Sequence, residues 1–152
     1  MLPKRQASIN VLIVDDDPVD RQLIEAAFKE EADRVKIRQC ANAEEAMAYL
    51  KREGEYATAP RPHACILDIN MPKISGLELL KQIKADPDLR NISVVMMSGS
   101  DQYEDIELSY NLQAAFYIRK PENYRDLRST VAKVTDLWTR VVAFPGQSEL
   151  RA

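Results

Sequence analysis

Asp68 stands directly after Ala64-Cys65-Ile66-Leu67, four apolar residues in succession. The same placement recurs along the chain. Asp15 and Asp16 follow a run ending at Val14, Ser98 follows one over residues 92–97, and Lys120 lies two residues past one over 114–118. Apolar runs with little polar alternation read as strands covered on both faces, as in parallel sheets. Parallel strands present their carboxyl ends on one edge, where open α/β sheets hold their ligands. Three carboxylates gathered there within about 4 Å would repel by several kcal/mol each at an effective dielectric near 20. A divalent cation removes that strain, and two carboxylates, a carbonyl and waters form an all-oxygen set suited to Mg²⁺. Lys120 adds a point charge for a carboxylate or phosphoryl oxygen, and Ser98 adds a hydroxyl donor. The set suits phosphoryl transfer, with Asp68 as the reacting group.

The elements that must position these groups are legible in order. Asp17-Pro18 reads as an N-cap followed by proline at the first helical position, with Leu23, Ile24, Ala27 and Phe28 on the helix. Residues 35–40 alternate as an edge strand should. Asn42, three residues before Glu45, makes a capping-box-like start to a second helix. Residues 54–62 form a surface connection. After Gly76, Leu77, Leu80 and Ile83 recur at helical spacing until Asp86-Pro87. Asp101 is placed to cap a fourth helix bearing Ile106, Leu108 and Tyr110, and a fifth helix is expected over residues 122–142. Five strands alternating with five helices imply a parallel sheet wrapped on both faces by right-handed crossovers.

Asp15-Asp16, Asp68, Ser98 and Lys120-Pro121, in that order and strand context, resemble the signature of bacterial response-regulator receiver domains, the CheY-like family. The resemblance spans residues about 9 to 142. It implies a flavodoxin-like (CheY-like), doubly wound five-stranded sheet of order 2-1-3-4-5. It further implies that Asp68 accepts a phosphoryl group from a phosphohistidine on a sensor kinase. Asp16 and Asp68 would bind Mg²⁺ with the backbone carbonyl of Asn70, and Asp15 would act largely through water. Ser98 and Lys120 would contact phosphoryl oxygens, with Lys120-Pro121 as a cis bond. Tyr117 matches the family's aromatic switch residue, and Asn70 and Ser100 match positions that tune hydrolysis of the phosphoryl group. The chemistry implied is confined to the chain's own phosphorylation and dephosphorylation. A closer likeness, carried by residues 105–112, Tyr117-Ile118-Arg119-Lys120-Pro121 and Trp138, is to single-domain regulators paired with phytochrome-type histidine kinases.

Several other classes fit less well. A haloacid-dehalogenase-type phosphatase needs a second Asp two residues after its nucleophile, and that position is Asn70. An FMN carrier needs a hydroxyl- or glycine-rich phosphate loop after the first strand, where Asp15-Asp16-Asp17 stands instead. A receiver-like scaffold that is never phosphorylated has no need of the intact acceptor set. The 152 residues are 45% hydrophobic and 30% charged, with a net charge of −3, so one ordinary globular domain is expected with no footprint for nucleic acid. No tract is long enough for a membrane span and the start lacks a signal-peptide core, so the expected compartment is the cytoplasm. Cys40 and Cys65 lie in separate strand patterns without metal-ligand spacing and read as packed, reduced thiols. His63, the only histidine, is expected on the surface. Lys73 and Arg119 read as solvated.

Residues 1–8 form a tail, 9–142 the domain and 143–152 a C-terminal arm. The arm is too short for a DNA-binding or enzymatic output domain, so the expectation is output through contact with another protein, or a chain that serves as a phosphate sink. Leu127, Val131, Val134 and Trp138 have core-facing spacing, while Val141, Val142 and Phe144 carry apolar character past the expected domain end. That pattern suggests a symmetric homodimer through the fourth helix, fifth strand, fifth helix and arm. The other reading is that Trp138 and Phe144 fold back on their own subunit.

Overall fold

The structure is a computed structural model, and it describes residues 8–145. The expected tail, but for Ser8, and the end of the arm lie outside the described residues. Strands and helices alternate as β1 (Ile9–Val14), α1 (Pro18–Lys29), β2 (Val35–Cys40), α2 (Ala43–Leu50), β3 (Ala64–Leu67), α3 (Gly76–Ala85), β4 (Ser93–Ser98), α4 (Tyr103–Asn111), β5 (Phe116–Arg119) and α5 (Tyr124–Asp136). A 3₁₀ turn, Gly54–Tyr56, interrupts the connection before β3. All neighbouring strands are parallel, in the order β2-β1-β3-β4-β5.

Successive side chains along a strand point to opposite faces, and here both faces are apolar. Leu12, Val14, Cys65, Leu67, Val94 and Met96 pack with α2 and α3. Ile9, Val11, Ile13, Ala64, Ile66, Val95 and Met97 pack with Ile24, Ala27 and Phe28 of α1 and Leu127, Val131 and Val134 of α5. Cys40 and Cys65 are free and buried, and burial pushes both thiols up to about 12. Such thiols are not nucleophilic near neutral pH. Two of the expected caps are made, by Asp17 and Asn42, and Ser75 makes a third that the sequence reading did not name; each accepts a backbone N–H from the first turn of the helix that follows.

Three expectations are corrected. Asp101 does not cap α4; Gln102 occupies that position without a side-chain bond. The Ser100 hydroxyl explains why, accepting the Gln102 N–H and donating to Asp105 within the helix. The fifth helix keeps close to its expected bounds: it begins at Tyr124, capped by Asn123, and past Asp136 continues as a π turn over Leu137–Val141 that widens the backbone. Thr139 donates to the Thr135 carbonyl there, and Arg34 reaches Asp136 and Thr139 from the turn after α1. The Lys120–Pro121 bond is trans, as is every peptide bond among the described residues; trans is the lower-energy isomer by roughly 0.5–1 kcal/mol. Finally, Trp138 and Phe144 are only 2% and 7% exposed and join the core against α1 and α5 of their own chain.

His63 is also less superficial than its proline-flanked loop suggests. It is half-buried, its Nδ1 accepts the Asn10 N–H at 2.9 Å, and its ring lies 5.6 Å from that of Phe144. Burial pushes the imidazole below its ordinary value of 6.5, so the folded chain favours the neutral ring. The resulting stabilisation is fully present above pH 6.5 and is lost as pH falls through the folded pKa. His63→Asn keeps an acceptor but cannot titrate. Urea unfolding from about pH 8 to about pH 5 should show a wild-type advantage that is level at the alkaline end and shrinks below the imidazole's ordinary range. An advantage that stays level throughout contradicts this reading.

Candidate functional site

Parallel register brings the strand ends level. Val14 pairs with Leu67 and Leu67 with Met96, so Asp15 and Asp68 emerge side by side, one residue past β1 and β3. The Asp15 and Asp68 amides extend the ladders, donating to the carbonyls of Cys40 and Val14 at 3.2 and 3.0 Å. Ser98, the last residue of β4, pairs with Arg119, and its carbonyl accepts the Lys120 N–H at 2.8 Å. The backbone thus delivers an acid from β1, an acid from β3, a hydroxyl from β4 and a lysine from β5 to one edge.

Carboxylate oxygens of Asp15, Asp16 and Asp68, one from each, lie within 4.8 Å of one another. Asp15 and Asp68 are buried and Asp16 is exposed at the mouth. Lys120 Nζ sits 2.9 Å from Asp15 Oδ2, 2.8 Å from Asp20 Oδ2 and 3.7 Å from Asp68 Oδ2. Burial works against the ammonium's charge, but its bonds to Asp20 and Asp15 and the charge of Asp68 prevail, and its pKa rises. Asp15 accepts a second bond from the Asp17 N–H at 2.9 Å, and Arg21 Nη1 holds its carbonyl at 2.6 Å. Burial still pushes the Asp15 carboxyl above its ordinary value, outweighing the bond from Lys120. Within the cluster, three carboxylates share the single Lys120 ammonium. An all-oxygen cluster in that condition fits a hard divalent cation.

Around this centre, Ser98 is fully buried and its Oγ is 3.4 Å from the Ser100 amide. Asn70 is exposed, two residues beyond Asp68. Tyr117 is half-buried on the edge strand; its hydroxyl donates to the Ser100 carbonyl at 2.6 Å and its amide to the Tyr110 hydroxyl at 3.2 Å. Lys73 and Arg119 are exposed, as expected.

Five of the seven site residues read from the sequence therefore converge: Asp15, Asp16, Asp68, Ser98 and Lys120 share one strand-end edge. Asn70 and Tyr117 flank it. Two contributors were not singled out. Asp20 looks like any acid in a helix's first turn, and nothing along the chain announces its partner a hundred residues away. Gly76 stands at the start of α3, where a Cβ would fall 1.9 Å from the Asp68 carbonyl oxygen. Its signal is a glycine where helix propensity would favour alanine.

With the geometry in place, comparisons with known proteins are decisive. Residues 11–132 match the response regulator receiver domain family. The chain belongs to that family. Response regulator Rcp1 of Synechocystis is 34% identical over 135 residues, 89% of this chain and 92% of the relative. Among solved structures, the phosphorylated cyanobacterial phytochrome response regulator RcpA superposes with a TM-score of 0.86 at 37% identity, covering 92% of this chain and 100% of that one. The Mn²⁺-bound form of Rcp1 superposes at 0.83 and 33% identity, covering 91% and 99%. This receiver domain thus keeps the family's fold over nearly its described length, and its acidic cluster is one that a divalent metal could occupy.

The close approach of Gly76 to Asp68 yields a direct test. The atom in the way is backbone at a buried strand end, so it cannot yield as a side chain would. Gly76→Ala should cost about 1–3 kcal/mol in chemical unfolding and should weaken divalent-cation binding by displacing the loop that carries Asp68. Wild-type stability and affinity in the variant would contradict the contact.

Proposed function

We propose that Asp68 is the phosphoryl acceptor of a two-component response regulator and that its donor is a phosphohistidine of a sensor histidine kinase. The observation that carries the reading is Lys120 Nζ held by Asp15 and standing 3.7 Å from Asp68, at the edge of a three-carboxylate cluster. In the step, an Asp68 carboxylate oxygen attacks phosphorus. The new P–O bond forms as the P–N bond to the donor imidazole breaks, and the bonding pair leaves on that nitrogen. Lys120 and the Ser98 hydroxyl bind the phosphoryl oxygens, where charge is spread in the transition state. Asp16 and Asp68, with Asp15 behind them and the Asn70 carbonyl alongside, would hold Mg²⁺. When bound, Mg²⁺ supplies positive charge to the acceptor and to the incoming phosphoryl oxygens. Tyr117 is the switch residue, and the catalysis is limited to the chain's own phosphorylation and dephosphorylation.

The likeness to RcpA, described as a cyanobacterial phytochrome response regulator, supports a phytochrome-type kinase as the partner, and the cytoplasm is the compartment this reading assigns. No helix among the described residues is long and apolar enough to cross a membrane, and nucleic acid is not among the expected partners. A homodimer is the second partner reading. Its support has shifted from that expected: Trp138 and Phe144 are spent on their own core, whereas Leu108 and Tyr110 of α4 and Val141 and Val142 beyond α5 are exposed. Output then passes by protein contact through this face.

Incubation with acetyl phosphate and Mg²⁺ should add about 80 Da to the intact mass, one phosphoryl group, and Asp68→Ala should abolish the increment. An unmodified wild type would favour the unphosphorylated scaffold instead. For the dimer, light scattering at tens of micromolar should give twice the chain's mass for the wild type, and Leu108→Asp with Val141→Asp should halve it, since charge is depleted from interface cores. A wild type of single-chain mass would remove the homodimer.

A further inference from the structure

Lys120 has three ammonium donors, and the tightest of its three carboxylate contacts is to Asp20, at 2.8 Å. Asp15 and Asp68 belong to the cluster whose oxygens lie within 4.8 Å; Asp20 does not. Asp20 projects from the first turn of α1, on the flank of the cluster, with its side chain 32% exposed, while the lysine is 18% exposed. The ammonium is therefore drawn between two demands. Two partners are acids that a metal would claim, and the third is an acid the metal leaves alone.

We infer that Asp20 is a positioning residue that draws the Lys120 ammonium toward α1, so that Asp15 and Asp68 are left open to a divalent cation. This inference rests on the reading of Asp15, Asp16 and Asp68 as a metal site. An ammonium and a dication compete for the same oxygens, because each stabilises the same excess of negative charge. With Asp20 neutralised, Lys120 keeps only metal ligands as partners. It then settles deeper among them, and cation entry must first displace it. A first-turn acid serving only the helix dipole would have no such effect, since the cluster's own lysine would be unmoved. Asp20 thereby keeps the lysine close enough to meet a phosphoryl oxygen without letting it fill the cluster.

The experiment is a double-mutant cycle read by isothermal titration calorimetry of Mg²⁺ into the full, unphosphorylated chain, with folding checked by circular dichroism. Asp20→Asn should weaken Mg²⁺ binding by roughly three- to tenfold in the wild-type background, the scale of coupling between contacting charged groups. In a Lys120→Met background the same substitution should change affinity by less than about twofold, since no ammonium remains to compete. Asp20→Glu, which can keep the ion pair, should restore most of the affinity; Asp20→Ser replaces Asp20→Asn should the latter fail to fold. Equal weakening in both backgrounds would show simple loss of a nearby negative charge and overturn the inference. Unchanged affinity in Asp20→Asn would overturn it as well. A wild type that binds no Mg²⁺ would instead remove the metal reading, and this inference with it.

Discussion

Electrostatic crowding at the carboxyl edge of the sheet is the constraint on which this structure depends. Three acids approach one ammonium, a fourth, Asp16, shares a cluster with two of them, and two of the four are buried. At an effective dielectric near 20, each close pairing with the ammonium contributes several kcal/mol of attraction before desolvation is subtracted. That sum does not neutralise the group, because one positive charge faces four negative ones. The site accordingly has room for more positive charge, and the acyl phosphate proposed at Asp68 would need more still. Removing Lys120 would leave two buried acids without their nearest cation, which costs more than the pair contributes.

That crowding is sustainable because the rest of the fold is uniform and stiff. The inner strands carry apolar side chains on both faces, and two helical layers cover them. A one-residue slip in such a sheet would draw a strand-end acid in between the apolar layers or push an apolar residue out of them. Register levels Val14 with Leu67 and Ser98 with Arg119, so the acids, hydroxyl and lysine are placed by backbone pairing alone. Gly76 completes the arrangement, since only the absence of a Cβ lets α3 begin against the Asp68 carbonyl.

The strand-end residues were legible because an apolar run ending in a charge is a one-dimensional signal, and parallel pairing converts it into convergence. The sheet order was legible only through the family resemblance, since strand composition does not say which strands are neighbours. Asp20 was hidden because its partner lies a hundred positions away and its local setting already explains an acid. The Asp101 cap failed because Ser100 and Asp105 offer the chain a better-bonded start to α4. Trp138 kept its core-facing reading, whereas Phe144 was ambiguous because apolar character past the expected domain end cannot say whose core it faces. The π turn over Leu137–Val141 ends the helix, and Phe144 lies beside His63 on its own chain.

Tyr117 ties the acidic edge to the exposed face of α4. Its hydroxyl is bonded to the Ser100 carbonyl, in the loop that leaves Ser98, while its amide is bonded to the Tyr110 hydroxyl. Ser100 in turn bonds Asp105 in the first turn of α4, and the Asp105 carbonyl accepts from the buried Ser109. A displacement of the Ser98–Ser100 loop therefore cannot leave Tyr117 and α4 both in place without breaking one of these bonds. Each such bond has a net worth of about 1 kcal/mol, small enough that the phosphoryl contact proposed for Ser98 could break one. Leu108 and Tyr110 are exposed on that helix. The loop that leaves Ser98 is thus joined to an apolar surface by a short series of bonds, so the phosphorylation proposed at Asp68 could alter that surface without a large movement of the core.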